Sequence, residues 1–173
     1  RKPIPGTEFE IECDTLMISA GLIPENELTE QAGIEISKGT HGAVVTEDLQ
    51  TSAKGFFACG NVLHVHDLVD FVATQADTGD AGETIIVENG DGAGAVCPQM
   101  IHRMPKQDKV ALMFRPRNRF RDVTVSAESD GKVIAEKKMI AVTPGEMIRL
   151  EIPADKLAQA GGVITVSLKG GAL

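Results

Sequence analysis

The sequence contains no tryptophan and no tyrosine, and its only aromatic residues are six phenylalanines among 173 residues. Proteins that hold single-stranded nucleic acid typically stack its bases on aromatic side chains, so this composition disfavours a nucleic-acid partner. No apolar run approaches the roughly 20 residues that a membrane-spanning helix needs, and no signal peptide is visible. The three cysteines, Cys13, Cys59 and Cys97, are odd in number and widely spaced. This pattern favours reduced thiols in a cytoplasmic protein.

Charge is distributed unevenly along the chain. Residues 1–105 hold 17 acidic and 5 basic residues, a net charge of -12, whereas residues 106–173 hold 8 acidic and 12 basic residues, a net charge of +4. The change coincides with a stretch at 90–105 that contains several glycines and two prolines. We therefore predict a domain boundary near residue 105.

Beyond that boundary, apolar and polar residues alternate with a period of two, which is typical of strands. Turn signals rich in glycine, proline and serine separate the segments. The predicted strands are 109–114, 123–126, 132–135, 147–152 and 163–168. Five short strands with such turns predict a small all-β, sandwich-like domain. A single helical turn is expected at 155–160, after Pro153.

The first half of the chain has a mixed α/β pattern. Residues 51–61 predict a loop that leads into a short buried strand at 55–59, with Cys59 as a buried strand cysteine, and a helix is predicted at 67–88. The strand ends at Gly60 and Asn61. Ligands of open α/β sheets bind at the carboxyl ends of strands, and a glycine there lets a ligand approach the backbone closely.

This segment resembles the second FAD-binding motif of the pyridine nucleotide-disulfide oxidoreductase family, which includes flavoproteins such as thioredoxin reductase. In that family the strand ends in Ala-x-Gly-Asp, and the acid binds the ribityl chain of the flavin. Asn61 stands at the position of the acid, and an amide can still hydrogen-bond a hydroxyl. The helix start that follows would present backbone N–H groups to the flavin C2 carbonyl. The resemblance therefore implies the cofactor-binding residues Gly60, Asn61, Val62, Asp70, Phe71 and Val72.

A second resemblance lies upstream, at residues 13–26. This stretch is similar to the last strand of the family's NAD-binding domain, which carries an acid, an apolar run and then Gly-x-x-Pro-Asn or a close variant. The apolar run from Leu16 to Ala20 is expected to be a parallel strand covered on both faces. The two resemblances together cover roughly residues 8–90.

The resemblance implies a particular organisation. Residues 1–30 would end an NAD(P)-binding domain, residues 31–105 would form the C-terminal part of an FAD-binding domain, and residues 106–173 would form the β domain. Neither of the family's glycine-rich turns, which bind the FAD pyrophosphate and the nicotinamide cofactor, precedes residue 14, and the CxxC redox pair is also missing.

We therefore expect a C-terminal fragment of an FAD-dependent NAD(P)H oxidoreductase, inactive alone, with the rest of the parent enzyme as its partner and a homo-oligomer as a further possibility. The alternative is a non-enzymatic oligomerisation or docking module of a larger protein.

Three other patterns have two interpretations each. Residues 90–95 fit the spacing G-x-G-x-x-A, but Pro98 and Pro105 disfavour the helix that a nucleotide-binding turn should open, so a flexible connection is favoured. The row Arg115, Arg117, Arg119 and Arg121 would share one face of a strand. It would either bind a phosphate or a carboxylate-rich partner, or form a solvated edge or contact the chain's own acidic half, and the last two are favoured. Cys59, His64 and His66 lack a fourth ligand at usual zinc spacing. No metal is predicted there, and a proton-donor role for either histidine stays open.

Overall fold

The structure is a computed structural model that describes residues 4–18, 21–65 and 83–172. Residues 4–65 contain helix α1 (Glu27–Gln31) and a 3-10 turn (Gly60–Val62). The later elements, in chain order, are β1 (Thr84–Asn89), β2 (Met100–His102), β3 (Lys109–Phe114), β4 (Phe120–Ser129), β5 (Lys132–Val142), β6 (Ile148–Pro153), α2 (Ala154–Leu157) and β7 (Val163–Ala172).

The strands form two sheets. Five of them pair in the order β2-β1-β7-β4-β5, in which β1 and β7 run parallel and all other neighbours run antiparallel. Strands β3 and β6 form a separate antiparallel pair. Each of the five strands predicted after residue 106 is present, and α2 lies at the start of the predicted helical turn. The expectation of a β-rich C-terminal region is confirmed.

Alternating side chains of both sheets enter one hydrophobic core. In β6, Ile148, Leu150 and Ile152 are buried, whereas the intervening Arg149 and Glu151 are exposed. This alternation follows from strand geometry, since successive side chains point to opposite faces. The largest fully buried side chains of this core include Phe114, Ile85, Ile101, Leu112, Ile152, Leu157 and Ile164. Their burial is the main favourable contribution to folding.

The prediction of a helix at 67–88 is wrong at its C-terminal end, because Thr84–Asn89 is strand β1. Ile85 and Val87 alternate in burial with their neighbours, as β-branched residues in strands commonly do. Residues 66–82 lie outside the described residues. The five-stranded sheet includes strands on both sides of residue 105, and the predicted division into three domains stays a prediction.

The strand predicted at 55–59 is also wrong. Phe56 and Phe57 are 54% and 48% exposed, Cys59 is exposed rather than buried, and Phe57 makes one isolated bridge, to Gln50. The reason is local: Gly55 has a φ of 85°, so the chain turns back on itself instead of extending along a neighbouring strand.

The apolar run that begins at Leu16 forms no ladder in the described residues. Leu16, Met17 and Ile18 are 76%, 89% and 81% exposed, and residues 19–20 lie outside the described part. A parallel strand of this kind needs a layer on each face, and no such layer covers these side chains. The α/β architecture expected for the first half is therefore not confirmed by the described residues at 4–18 and 21–65. The helices described, α1 and α2, have five and four residues, and no described helix meets the length and apolarity of a membrane span.

The burial of the cysteines gives a first prediction. Cys13 and Cys59 are exposed, whereas Cys97 is buried, and burial raises the pKa of the Cys97 thiol to about 12. Because the thiolate is the reactive form, we expect iodoacetamide at pH 8 to modify two cysteines per folded chain and the third only after unfolding. Mass spectrometry of the labelled peptides measures this. A Cys97→Ser variant should show two modified cysteines in both states, and rapid labelling of Cys97 in the folded protein would contradict the structure.

Candidate functional site

The 3-10 turn Gly60–Val62 reverses the chain after an extended residue, Cys59. Gly60 is buried and has a φ of 77°, a conformation that glycine adopts without steric cost. The turn is closed by the Leu63 N–H, which donates to the Gly60 carbonyl at 3.0 Å. Asn61 is thereby presented at the surface and Val62 is half-buried.

The side chain of Asn26 connects this turn to the upstream segment at 13–26. Its Nδ2 donates to the carbonyl oxygens of His41 at 2.9 Å and of Val62 at 3.0 Å. Asn26 is 7% exposed, so both hydrogen bonds are shielded from competing water. The two stretches that suggested a dinucleotide-binding enzyme are thus joined directly, although 36 residues separate Asn26 from Val62.

Backbone packing holds the turn from the other side. A Cβ atom placed on Gly42 would overlap the backbone of Leu63 and come within 2.5 Å of its Cα. Only a residue without a side chain permits this approach. Leu63 is 1% exposed and belongs to a second hydrophobic core cluster, whose other buried members are Ile34, Ala43, Val45, Leu49 and Cys97.

Of the six cofactor-binding residues expected from the sequence, the structure describes Gly60, Asn61 and Val62, which share the 3-10 turn. Asp70, Phe71 and Val72 lie outside the described residues, as does His66. Their assignment to a flavin site stays a prediction.

A group that the sequence analysis did not assemble lies nearby. The β-turn at 46–49, closed by the Leu49 N–H donating to the Thr46 carbonyl at 2.9 Å, carries Glu47 and Asp48 to His102 of β2. His102 Nδ1 lies 3.0 Å from Glu47 Oε1 and 3.4 Å from Asp48 Oδ2, and the three side chains are 4–8% exposed. Burial raises the pKa of the Glu47 carboxyl, and a hydrogen bond from the His102 backbone N–H opposes part of that effect. Two adjacent acids are visible in the sequence, but nothing there indicates a histidine 55 residues away.

The two other patterns have structural outcomes. Residues 90–95 open no helix, since β2 is the next element, which agrees with a connection rather than a second nucleotide site. The four arginines do not form one strand face, because residues 115–119 connect β3 to β4 and only Arg121 lies in a strand. The Arg115 guanidinium donates to the Gly145 carbonyl and, at 3.4 Å, to that of Val65.

Comparison with known proteins identifies one family. Residues 2–82 match the family model of the pyridine nucleotide-disulphide oxidoreductases. This stretch of the chain is therefore a segment of that family, and the resemblance of residues 13–26 and 51–61 is confirmed at that level. No curated protein and no solved structure matches the chain.

The close approach at Gly42 gives a second prediction. Gly42→Ala forces its new methyl group against the Leu63 backbone and should destabilise the protein by about 1–3 kcal/mol, as overpacking typically does. Urea unfolding measures the loss. Hydrogen exchange should accelerate at the Leu63 amide, because that N–H closes the 3-10 turn.

Gly162→Ala is the matched control, since a Cβ at Gly162 meets no atom within 4 Å and its φ is not positive. It should leave exchange at Leu63 unchanged. Equal effects of the two substitutions would show that the contact between Gly42 and Leu63 does not constrain the turn.

Proposed function

We propose that residues 2–82 form one wall of the flavin site of an FAD-dependent NAD(P)H oxidoreductase, and that other parts of the enzyme supply the dinucleotide-binding turns. The general class, an oxidoreductase of the pyridine nucleotide-disulphide family, follows from the family match. We also propose that FAD and NAD(P)H are the cofactors, that a hydride passes from NAD(P)H to FAD, and that the enzyme is thioredoxin reductase-like.

The observation that carries the proposal is the hydrogen bond from Asn26 Nδ2 to the Val62 carbonyl. It links the last residue of the segment at 13–26, which resembles the end of an NAD-binding domain, to the turn at 60–62, which resembles a flavin-binding motif. In a flavoenzyme of this family, a nicotinamide and a flavin must come into contact for hydride transfer. A buried side chain that holds the two motifs together favours that role.

The residues of the turn suit a polyol chain. Gly60 offers no side chain to block the ligand, and the carbonyl and amino groups of the Asn61 side chain can accept from and donate to ribityl hydroxyls. When bound, FAD would supply the hydride chemistry, and the protein would position it and tune its electronics. Val62 is held through its carbonyl by Asn26, so the turn is organised before any ligand arrives.

A docking role is the second candidate, favoured by the apolar surface of the N-terminal segment. Nine large apolar side chains between residues 4 and 28 are 70–89% exposed. They are Ile4, Phe9, Ile11, Leu16, Met17, Ile18, Leu22, Ile23 and Leu28. Exposed apolar surface of this extent marks an interaction site in many proteins. The docking role and the flavin role are compatible if the docking partner is the remainder of the flavoenzyme. If the protein binds no flavin, only the docking role is left.

The third prediction concerns the 173-residue chain by itself. We expect it to be colourless when purified and to bind added FAD more weakly than about 1 μM, because a glycine-rich turn at a helix N-terminus normally anchors the pyrophosphate and none precedes residue 14. Calorimetric titration with FAD measures this. Submicromolar affinity would contradict the division of the site between this chain and other segments.

The fourth prediction concerns Asn61 in the full-length natural protein. Asn61→Leu leaves a ribityl hydroxyl without a partner, which costs about 1–3 kcal/mol, or roughly five- to 150-fold in FAD affinity. Flavin fluorescence during titration measures the dissociation constant, and urea unfolding of the apoprotein measures stability.

Asn118→Leu, on an exposed residue of the connection from β3 to β4, is the control and should change neither quantity much. If Asn61→Leu lowers stability but leaves FAD affinity as it was, Asn61 merely terminates the turn and is not part of the cofactor site. If the full-length protein contains no flavin, the docking role is the better account.

A further inference from the structure

The cluster of Glu47, Asp48 and His102 has the composition of a cation site. One potential ligand atom from each residue lies within 4.8 Å of the other two. The ligands come from two separate parts of the chain, since the acids lie in the β-turn at 46–49 and the histidine in β2. All three side chains are more than nine-tenths buried.

The charges within the cluster do not balance. His102 Nδ1 carries at most one proton, and Glu47 Oε1 at 3.0 Å is the acceptor within hydrogen-bond distance of it. Even a protonated His102 contributes one positive charge against two carboxylates. A buried ion without adequate pairing is costly, and a bound cation would balance the second carboxylate when both are ionised.

Asp48 is the side chain least well satisfied. Glu47 accepts the His102 backbone N–H at 2.9 Å with both oxygens, but no hydrogen bond to the Asp48 carboxylate is present among the described residues. Its one close polar contact there is His102 Nδ1 at 3.4 Å. Asp48 is 6% exposed, so this buried carboxylate has one long polar contact where Glu47 has hydrogen bonds to both of its oxygens.

A cavity adjoins the cluster on the side of Glu47, and Asp48 and His102 are not among its lining residues. Thr46 and Glu47 line a cavity of about 110 Å³, and the buried Thr46 hydroxyl has no hydrogen-bond partner in the described part of the chain. Lys109 and Arg149 line the same cavity, but the ion pairs described for both go to Glu151.

We propose that Glu47, Asp48 and His102 bind one divalent ion of the first transition row, of the Mn²⁺ or Zn²⁺ class. Two carboxylates and an imidazole are a donor set that such ions accept. Ligand atoms about 2.1 Å from a metal and at right angles to each other lie about 3.0 Å apart, close to the observed 3.0 and 3.4 Å. Nδ1 binds the ion after losing its proton, and water fills the remaining positions. The ion fixes the turn at 46–49 to β2, independently of any flavin.

The fifth prediction tests this site on the whole 173-residue chain. After dialysis against a chelator and then metal-free buffer, the chain should bind one Mn²⁺, seen as loss of the free-ion signal in electron paramagnetic resonance. Mn²⁺ is the probe because thiolates and a lone imidazole hold it poorly, so Cys13 and Cys59 do not interfere. Zn²⁺ should displace it, since the affinity order places Zn²⁺ above Mn²⁺. Absence of any bound Mn²⁺ and Zn²⁺ would overturn the proposal.

Asp48→Asn keeps the shape of the side chain and removes its charge. Residues that only hydrogen-bond a metal ligand typically contribute 10–100-fold to metal affinity. Asp48 is proposed as a direct ligand, so this variant should weaken Mn²⁺ binding about 100-fold or more. Asp155→Asn, on an exposed aspartate of α2, is the matched control and should bind as the wild type does. Equal binding by Asp48→Asn and the wild type would place the ion elsewhere.

Thermal unfolding separates lost binding from misfolding. Without metal, Asp48→Asn should melt no lower than the wild type, because it removes an uncompensated buried charge. With Mn²⁺ or Zn²⁺, the wild type should melt at a higher temperature and Asp48→Asn should not. A metal-induced shift in Asp48→Asn as large as that of the wild type would also overturn the proposal.

Discussion

The attachment of residues 45–48 to strand β2 is the interaction on which the rest of the structure depends. β2 lies at the edge of the five-stranded sheet, where unpaired backbone groups are open to other chains. The Val45 carbonyl accepts the N–H groups of Gln99 and Met100, each at 3.2 Å, and its N–H donates to Gln99 Oε1 at 3.1 Å. Glu47 then accepts the next outward N–H, that of His102. Residues 45–47 thus cover the edge of the sheet at β2, and the same hydrogen bonds hold residues 45–47 in place.

This attachment has a conformational and an electrostatic cost. Leu49 ends the turn at a φ of 65°, a region that is uncommon for residues other than glycine, yet its side chain is anchored in the second core cluster. The same turn buries Glu47 and Asp48 beside one histidine. Strain and buried charge persist only where the surroundings fix them. Here the core cluster fixes Leu49 and the contacts with His102 hold the two acids; the proposed cation would stabilise the same turn further.

The sequence predicted the parts of the fold that depend on local pattern. Strands β3 to β7 follow from a period of two and from turn residues. Sequence patterns gave the wrong element where strand pairing determines the structure. Residues 84–89 fitted the end of a long helix, but parallel pairing of β1 with β7 makes them a strand. The link between Asn26 and Val62 and the link between Glu47 and His102 span 36 and 55 residues. No local signal encodes contacts of that range.

Cys97 joins the two halves of the chain physically. Its side chain packs in the second core cluster with Val45 and Leu63, while its backbone exchanges hydrogen bonds of 2.8 Å with Met113 of β3. The Leu63 N–H closes the 3-10 turn at Gly60, and the Val45 carbonyl accepts hydrogen bonds from the start of β2. Because protein interiors are close-packed and transmit small changes of volume, a rearrangement at Cys97 acts on the sheet and on the proposed flavin turn together. Through Cys97 and Val45, the β-rich region therefore contacts and supports the residues around Leu63 and the turn at 46–49.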